Sequence, residues 1–196
     1  MRTRVGVPAL VLGLLLATQA HAGHHLWRFT EAFTNSSGSV QYIELHTADA
    51  NEQAIGGFGI TSNTGTFNFV TPLSTSATAN TSILIATSNF AALSGAVTPD
   101  YILPANFIST GGGTLNYAGG VHVWNHGALP TDGVHSLLFG GATANNSPQN
   151  FAGQTGSINL STSVPMVQTW GLVVLVGALL LLASGLLKRD NEPTLA

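Results

Sequence analysis

The chain has no cysteine among its 196 residues. That excludes a disulfide framework, thiol catalysis and thiolate metal sites, so any exported form must be held by its core alone. Charge is also scarce, with Asp, Glu, Lys and Arg making up 7% of residues. Between Gly23 and Ser163 there is no lysine, and Arg28 is the one cation against Glu31, Glu44, Asp49, Glu52, Asp100 and Asp132, a net charge of −5 with histidine neutral. Nucleic-acid binding needs clustered Lys and Arg to neutralise phosphates, so that function is excluded for this stretch. An anionic lipid surface would not attract it either. No fixed-period internal repeat is present. What fills the space is Gly, Ser, Thr, Asn and Gln between short apolar runs, a composition that suits a protein meeting water and polysaccharide.

The two ends carry the long apolar runs. At the start, Arg2 and Arg4 precede an uncharged stretch from Val5 to Ala17, and Ala20-His21-Ala22 puts small residues at both peptidase positions. This layout predicts a secretory signal peptide over 1–22, cleaved after Ala22; the alternative is a retained anchor. At the other end, Trp170–Leu187 has no charge and one polar residue, Ser184. As a helix it is about 27 Å long, close to the ~30 Å hydrocarbon core. Lys188 and Arg189 follow at once and stay on the cytoplasmic side, so the span runs outside to inside. The expectation is residues 23–163 outside, a transmembrane helix over 170–187 and a basic end at 188–189.

Val164-Pro165, four residues, then Trp170-Gly171, the apolar span and the basic end resemble the IPTL-type C-terminal sorting signals of Gram-negative bacteria, relatives of the PEP-CTERM signals. Pro165, Trp170 and Gly171 match that pattern and Val164 is a mild change; Met166 and Thr169 depart from it. The resemblance implies a sorting signal over 164–196 with its motif at 164–171. It also implies an exosortase-like inner-membrane enzyme as partner, cleavage near Pro165 and release to the cell surface or matrix. Pro165 fixes its own φ and disfavours helix at Val164, which would leave the junction extended. The alternative is a permanent single-pass anchor.

The body between the ends is long enough for one domain with a sizeable core. In "LWRFTEAF" the alternation places Trp27, Phe29 and Phe33 on one face, a face that Glu31 interrupts. "NSSG" at 35–38 is a turn cluster, and "VQYIELHT" alternates again with Ile43 and Leu45 opposite Tyr42, Glu44 and His46. Together they predict a β-hairpin. Further strands are expected at 58–61, 66–70, 82–87, 100–103, 113–117, 121–125 and 135–139, with one helical turn at 88–93 capped by Ser88 and a loop over 142–157. Many short strands with such turns give an all-β fold, a sandwich or barrel. Arg28–Phe69, with Tyr42-Ile43-Glu44-Leu45 as its strongest match and Gly57-Phe58-Gly59-Ile60 as a looser one, also resembles the lamin-tail-like domain family. That resemblance implies an immunoglobulin-like β-sandwich occurring as an add-on module of secreted bacterial proteins.

Four constellations bear on chemistry. Glu44 is read either as a ligand for a cation or sugar hydroxyl, or as a structural carboxylate paired with Arg28; the pair is favoured because Arg28 is the domain's one cation. His122, Trp124 and His126 share one face of a strand; a core-buried Trp124 is the favoured reading, because large aromatics more often fill cores, and a sugar-stacking stripe is the alternative. On a strand the two imidazoles lie about 13 Å apart, too far to share one ion. Gly23-His24-His25 would start the mature chain, and an amine with histidine in third place suits Cu(II) or Ni(II). Asp132, His135 and Ser136 lack the nucleophile elbow of a hydrolase and read as a turn opened by Pro130 and closed by Gly133. The expected function is a non-enzymatic, cofactor-free, structural or adhesive protein of the cell surface, in contact with exopolysaccharide. A carbohydrate-binding module and a secreted metal-binding protein on His24 and His25 are the alternatives.

Overall fold

The computed structural model describes residues 23–161. The signal-peptidase positions Ala20 and Ala22 lie outside the described residues. So do Val164, Pro165, Trp170, Gly171, Lys188 and Arg189 and the predicted span over 170–187. The described chain is all-β. Its elements are β1 (Arg28–Thr34), β2 (Gln41–Thr47), β3 (Gly59–Thr61), β4 (Thr66–Asn68), β5 (Thr81–Thr87), the single turn α1 (Ser88–Ala91), β6 (Tyr101–Leu103), β7 (Gly113–Tyr117), β8 (His122–His126), β9 (His135–Leu138) and β10 (Thr143–Asn145). They form two sheets, one six-stranded in the order β10-β9-β1-β2-β5-β6 and one four-stranded in the order β4-β3-β7-β8. All pairs are antiparallel except β5 with β6.

The hairpin of β1 and β2 is the centre of the larger sheet. Its turn is held by Asn35, whose N–H donates to the Val40 carbonyl at 3.0 Å and whose Oδ1 accepts from the Val40 N–H at 3.1 Å. Gly38 sits there at φ 68°, and a Cβ on it would fall 2.2 Å from Asn106 Oδ1. A side chain is therefore excluded twice, by backbone conformation and by space.

On β2 the alternation holds: Ile43 and Leu45 join the main core, while Tyr42 and Glu44 lie on the opposite face. On β1 it does not. Phe29 pairs with Leu45, but Glu31, not Thr30, pairs with Glu44. The extra residue is a β-bulge at Thr30, and it reverses the phase of the strand. Phe29 and Ala32 therefore face the main core, whereas Phe33 turns to the opposite face and stacks on Tyr42 at 5.4 Å. The expectation that Phe33 shares a face with Trp27 and Phe29 is overturned by this one inserted residue. The bulge also removes Glu31 from the apolar face that it seemed to interrupt.

Residues of both sheets form one core. Phe29, Ile43, Leu45, Ile83 and Ile85 come from the six-stranded sheet, and Ile60, Phe67, Leu115, Tyr117 and Trp124 from the four-stranded one. Burying such side chains contributes roughly 1.5–3 kcal/mol each, which a domain without disulfides requires. Two local expectations are also corrected. The helical turn is capped by Thr87, whose Oγ1 accepts from the Phe90 N–H, not by Ser88, which is already helical. And β10 forms inside the stretch predicted as loop, because Thr143–Asn145 find a partner strand in β9.

After β10 the chain runs out over the outer face of the six-stranded sheet as a strap and doubles back, Asn146 to Ile158, with an antiparallel bridge between Gln149 and Thr155. Its ends are tied by Asn146, which accepts from the Ile158 N–H at 2.7 Å and donates to the Ile158 and Val134 carbonyls at 2.7 and 2.6 Å. Between those ties the strap uses acids. The N–H groups of Ser147, Gln149 and Phe151 donate in turn to Glu31, Glu44 and Asp100 at 2.9, 2.8 and 2.9 Å. Alternate amides of an extended segment thus meet carboxylates rather than a neighbouring strand. Pro148, which has no N–H, stands between the first two.

Candidate functional site

Five of the six acids of this domain, all but the exposed Asp49, serve as acceptors for backbone amides. Glu31 takes the Tyr42 and Ser136 hydroxyls at 2.5 Å each, the Ser147 N–H, and the Ser147 hydroxyl at 3.0 Å. Glu44 takes the Thr30 and Ser82 hydroxyls at 3.2 and 3.0 Å and the Gln149 N–H. Asp100 also receives the Leu84 N–H at 2.8 Å, Glu52 the Leu26 N–H at 3.0 Å, and Asp132 the Val134 and His135 N–H groups at 2.8 Å each. Carboxylates accept such bonds more strongly than neutral oxygens do, so few acids and almost no cations suffice to fix several loops.

The Glu44–Arg28 pair expected from the sequence does not form. One terminal guanidinium nitrogen of Arg28, Nη1, donates to the His25 and Trp27 carbonyls at 2.8 and 2.9 Å. Glu44 instead receives neutral donors beneath the strap. Drawing a guanidinium into that buried place would cost more desolvation than the pairing returns.

Glu31 and Glu44 are directly opposite each other on adjacent strands and are 3% and 7% exposed. Burial is the main cause that pushes the Glu44 carboxyl up to about 7, and the Glu31 charge adds to it against the donors that pull it down. The folded protein therefore holds a proton that the unfolded chain releases above about pH 4.5. The resulting stability is complete below that pH and is lost as pH rises through 7, a span of about 3 kcal/mol. His24 and His122, both held below the usual imidazole value mainly by burial, act with opposite sign around pH 6.5. The Glu44 contribution is thus read as a difference: the stability advantage of wild type over Glu44→Gln, from urea unfolding, is expected to fall between pH 5 and pH 8. A constant difference would show that the side chain does not hold that proton.

Beside this carboxylate pair the surface opens into a groove of about 660 Å³, bounded by Arg28, Phe29, His122, Phe139 and Ser147, with Glu44 at its margin. A second depression of about 350 Å³ lies across Phe139, against Trp124, Asn125 and Gly127. Both volumes are of the size that small ligands occupy. Phe139 is 50% exposed and forms the ridge between them. Its ring meets His122 at 4.9 Å and Trp124 at 5.7 Å between centroids. Its N–H donates to the Thr30 carbonyl at 2.8 Å, so the β-bulge anchors the ridge. Gly140 and Gly141, at φ 97° and 96°, make the tight turn that follows.

The three residues of the candidate stripe do lie together on β8, but they do not offer Trp124 as a platform. Trp124 is 4% exposed and packs in the main core, and His126 is 7% exposed with its Nδ1 at 2.9 Å from the Gly127 carbonyl. His122, half-buried, accepts the Phe29 N–H on Nδ1 at 2.9 Å. Phe139, half exposed, is the large aromatic that reaches solvent here, and the sequence marks it only as the last residue of a predicted strand. A signal was available: an aromatic directly before Gly140-Gly141 sits at a hairpin tip, where cores rarely reach.

At the start of the described chain, His24 stacks on Phe58 with centroids 3.5 Å apart and tilts against His25 at 3.9 Å. Among the described residues no three of His, Asp and Glu gather in a way that could hold a metal ion. Asp132 and His135 are 2.6 Å apart, but the Ser136 hydroxyl points away to Glu31, so the three form no catalytic relay. The turn reading holds, with Asp132 Oδ1 capping the Val134 and His135 amides.

Fold and site together define an all-β protein with a carboxylate-held strap and an open groove lined by Arg28, Glu31 and Glu44 beside Phe29, His122 and Phe139. No protein-family model, curated protein or solved structure matches the chain.

Proposed function

We propose that the chain is an exported, non-enzymatic module of the cell surface or extracellular matrix, with a structural or adhesive role. The observation that carries this reading is the arrangement of three parts. A signal-peptide-like start and a sorting-signal-like end flank a β body that has one cation and buries its three glutamates, Glu31, Glu44 and Glu52. Such a body neither needs nor attracts the polyanions of the cytoplasm. Its fold is read as an immunoglobulin-like β-sandwich, supported by the two sheets and their shared core; the parallel pair of β5 and β6 is a departure from an all-antiparallel pattern. In this reading the exosortase-like enzyme recognises Pro165 and Trp170, and the released body lies within exopolysaccharide. Protease added to intact cells provides the test. The body is expected to be digested while a cytoplasmic marker survives; protection equal to that of the marker would overturn the reading.

A further inference from the structure

We infer that the paired depressions on either side of Phe139 bind an uncharged polysaccharide, with the Phe139 ring stacked on one sugar unit and the groove walls meeting its hydroxyls. This deepens the surface-protein reading by naming what the body would adhere to. The exposed ridge is an aromatic ring, and the apolar C–H face of a pyranose covers such a ring well. Two depressions flanking one ring suit a ligand that continues in both directions, as a polymer does. The donors are fixed. His122 receives the Phe29 N–H on Nδ1, so its neutral ring carries hydrogen on Nε2, which has no partner among the described residues. Arg28 commits Nη1 to two carbonyls, which holds the guanidinium in place while its other nitrogens have no partner among the described residues.

Charge selects the class of ligand. Arg28 lines the groove together with the buried carboxyls of Glu31 and Glu44, so the groove carries no net positive charge. A uronate or sulfated chain therefore gains no net attraction there, whereas a neutral sugar needs none. Ser147, which donates to Glu31 by both N–H and hydroxyl, makes the strap one wall, so the groove keeps its shape without a ligand.

The test is retention of the full chain, in mild detergent, on three neutral polymers (cellulose, chitin and cross-linked dextran) and on the anionic polymer alginate. Wild type is expected to be retained by at least one neutral polymer and not by alginate. Phe139→Leu keeps apolar contact with His122 and Trp124 but removes the π face, so retention should weaken at least tenfold; Phe139→Tyr should restore it. Thermal melts of both variants check the fold. Retention by alginate alone, no retention by any neutral polymer, or equal retention of wild type and a folded Phe139→Leu would each overturn the inference. Protease accessibility on intact cells reads the surface location independently, so failure here leaves that result standing.

Discussion

Replacing Glu31 by alanine is expected to destabilise the protein by about 4 kcal/mol, a large part of the ~5–15 kcal/mol that holds a typical domain. The substitution removes the acceptor of four donors from three separate places: Tyr42 on β2, Ser136 on β9 and both polar groups of Ser147 on the strap. The Tyr42 and Ser136 side chains are fully buried, so their hydroxyls cannot turn to water. Each such unsatisfied group costs about 1–3 kcal/mol. Two further consequences separate this account from simple loss of packing. The Ser147 amide should lose protection from hydrogen exchange before the core strands do. And the Glu44 carboxyl should move back toward the ordinary range, because Glu31 is one of the charges that raises it. Urea unfolding with exchange measured residue by residue checks both. A cost under about 1 kcal/mol, with Ser147 still protected, would show that the strap is held by other contacts.

Trp124→Ala is expected to cost about 3–5 kcal/mol, in the range for truncating a large buried aromatic. The indole packs where the four-stranded sheet meets Phe29 of the six-stranded one, and it also supports Phe139 from below. The cavity would therefore weaken the core and loosen the ridge together, lowering the melting temperature while leaving unfolding cooperative. A variant that melts like wild type but no longer binds polysaccharide would mean that Trp124 is itself the exposed stacking surface.

The particular misreadings show what kind of information the sequence carries. Short apolar runs bounded by turn residues locate β5, β7 and β8, and alternation locates β2, which keeps one phase from end to end. Alternation fails on β1, where a single inserted residue, Thr30, reverses the phase. The conflict was nonetheless visible: a glutamate on an otherwise apolar face is relieved by a bulge just before it. The strap was not legible, because its order comes from Glu31, Glu44 and Asp100, which stand some 50 to 116 residues away in sequence. Scarcity alone pairs Arg28 with Glu44 in the sequence, since a lone cation invites pairing with a nearby acid. The fold spends it on two local carbonyls instead, and neutral hydroxyls and amides serve the acid at lower desolvation cost. On β8 one face carries His122, Trp124 and His126, and the reading of Trp124 as core agrees with its burial, for which the opposing sheet provides the partners. That also decides why Phe139, and not Trp124, is the ring in contact with solvent.

The most direct test of the central claim, that this β body is exported between two removable ends, is the intact mass of the protein recovered from outside the cells that make it. The expected species begins at Gly23 and ends near Pro165. A single species of all 196 residues, found in the cytoplasm and carrying both Met1 and Ala196, would contradict it.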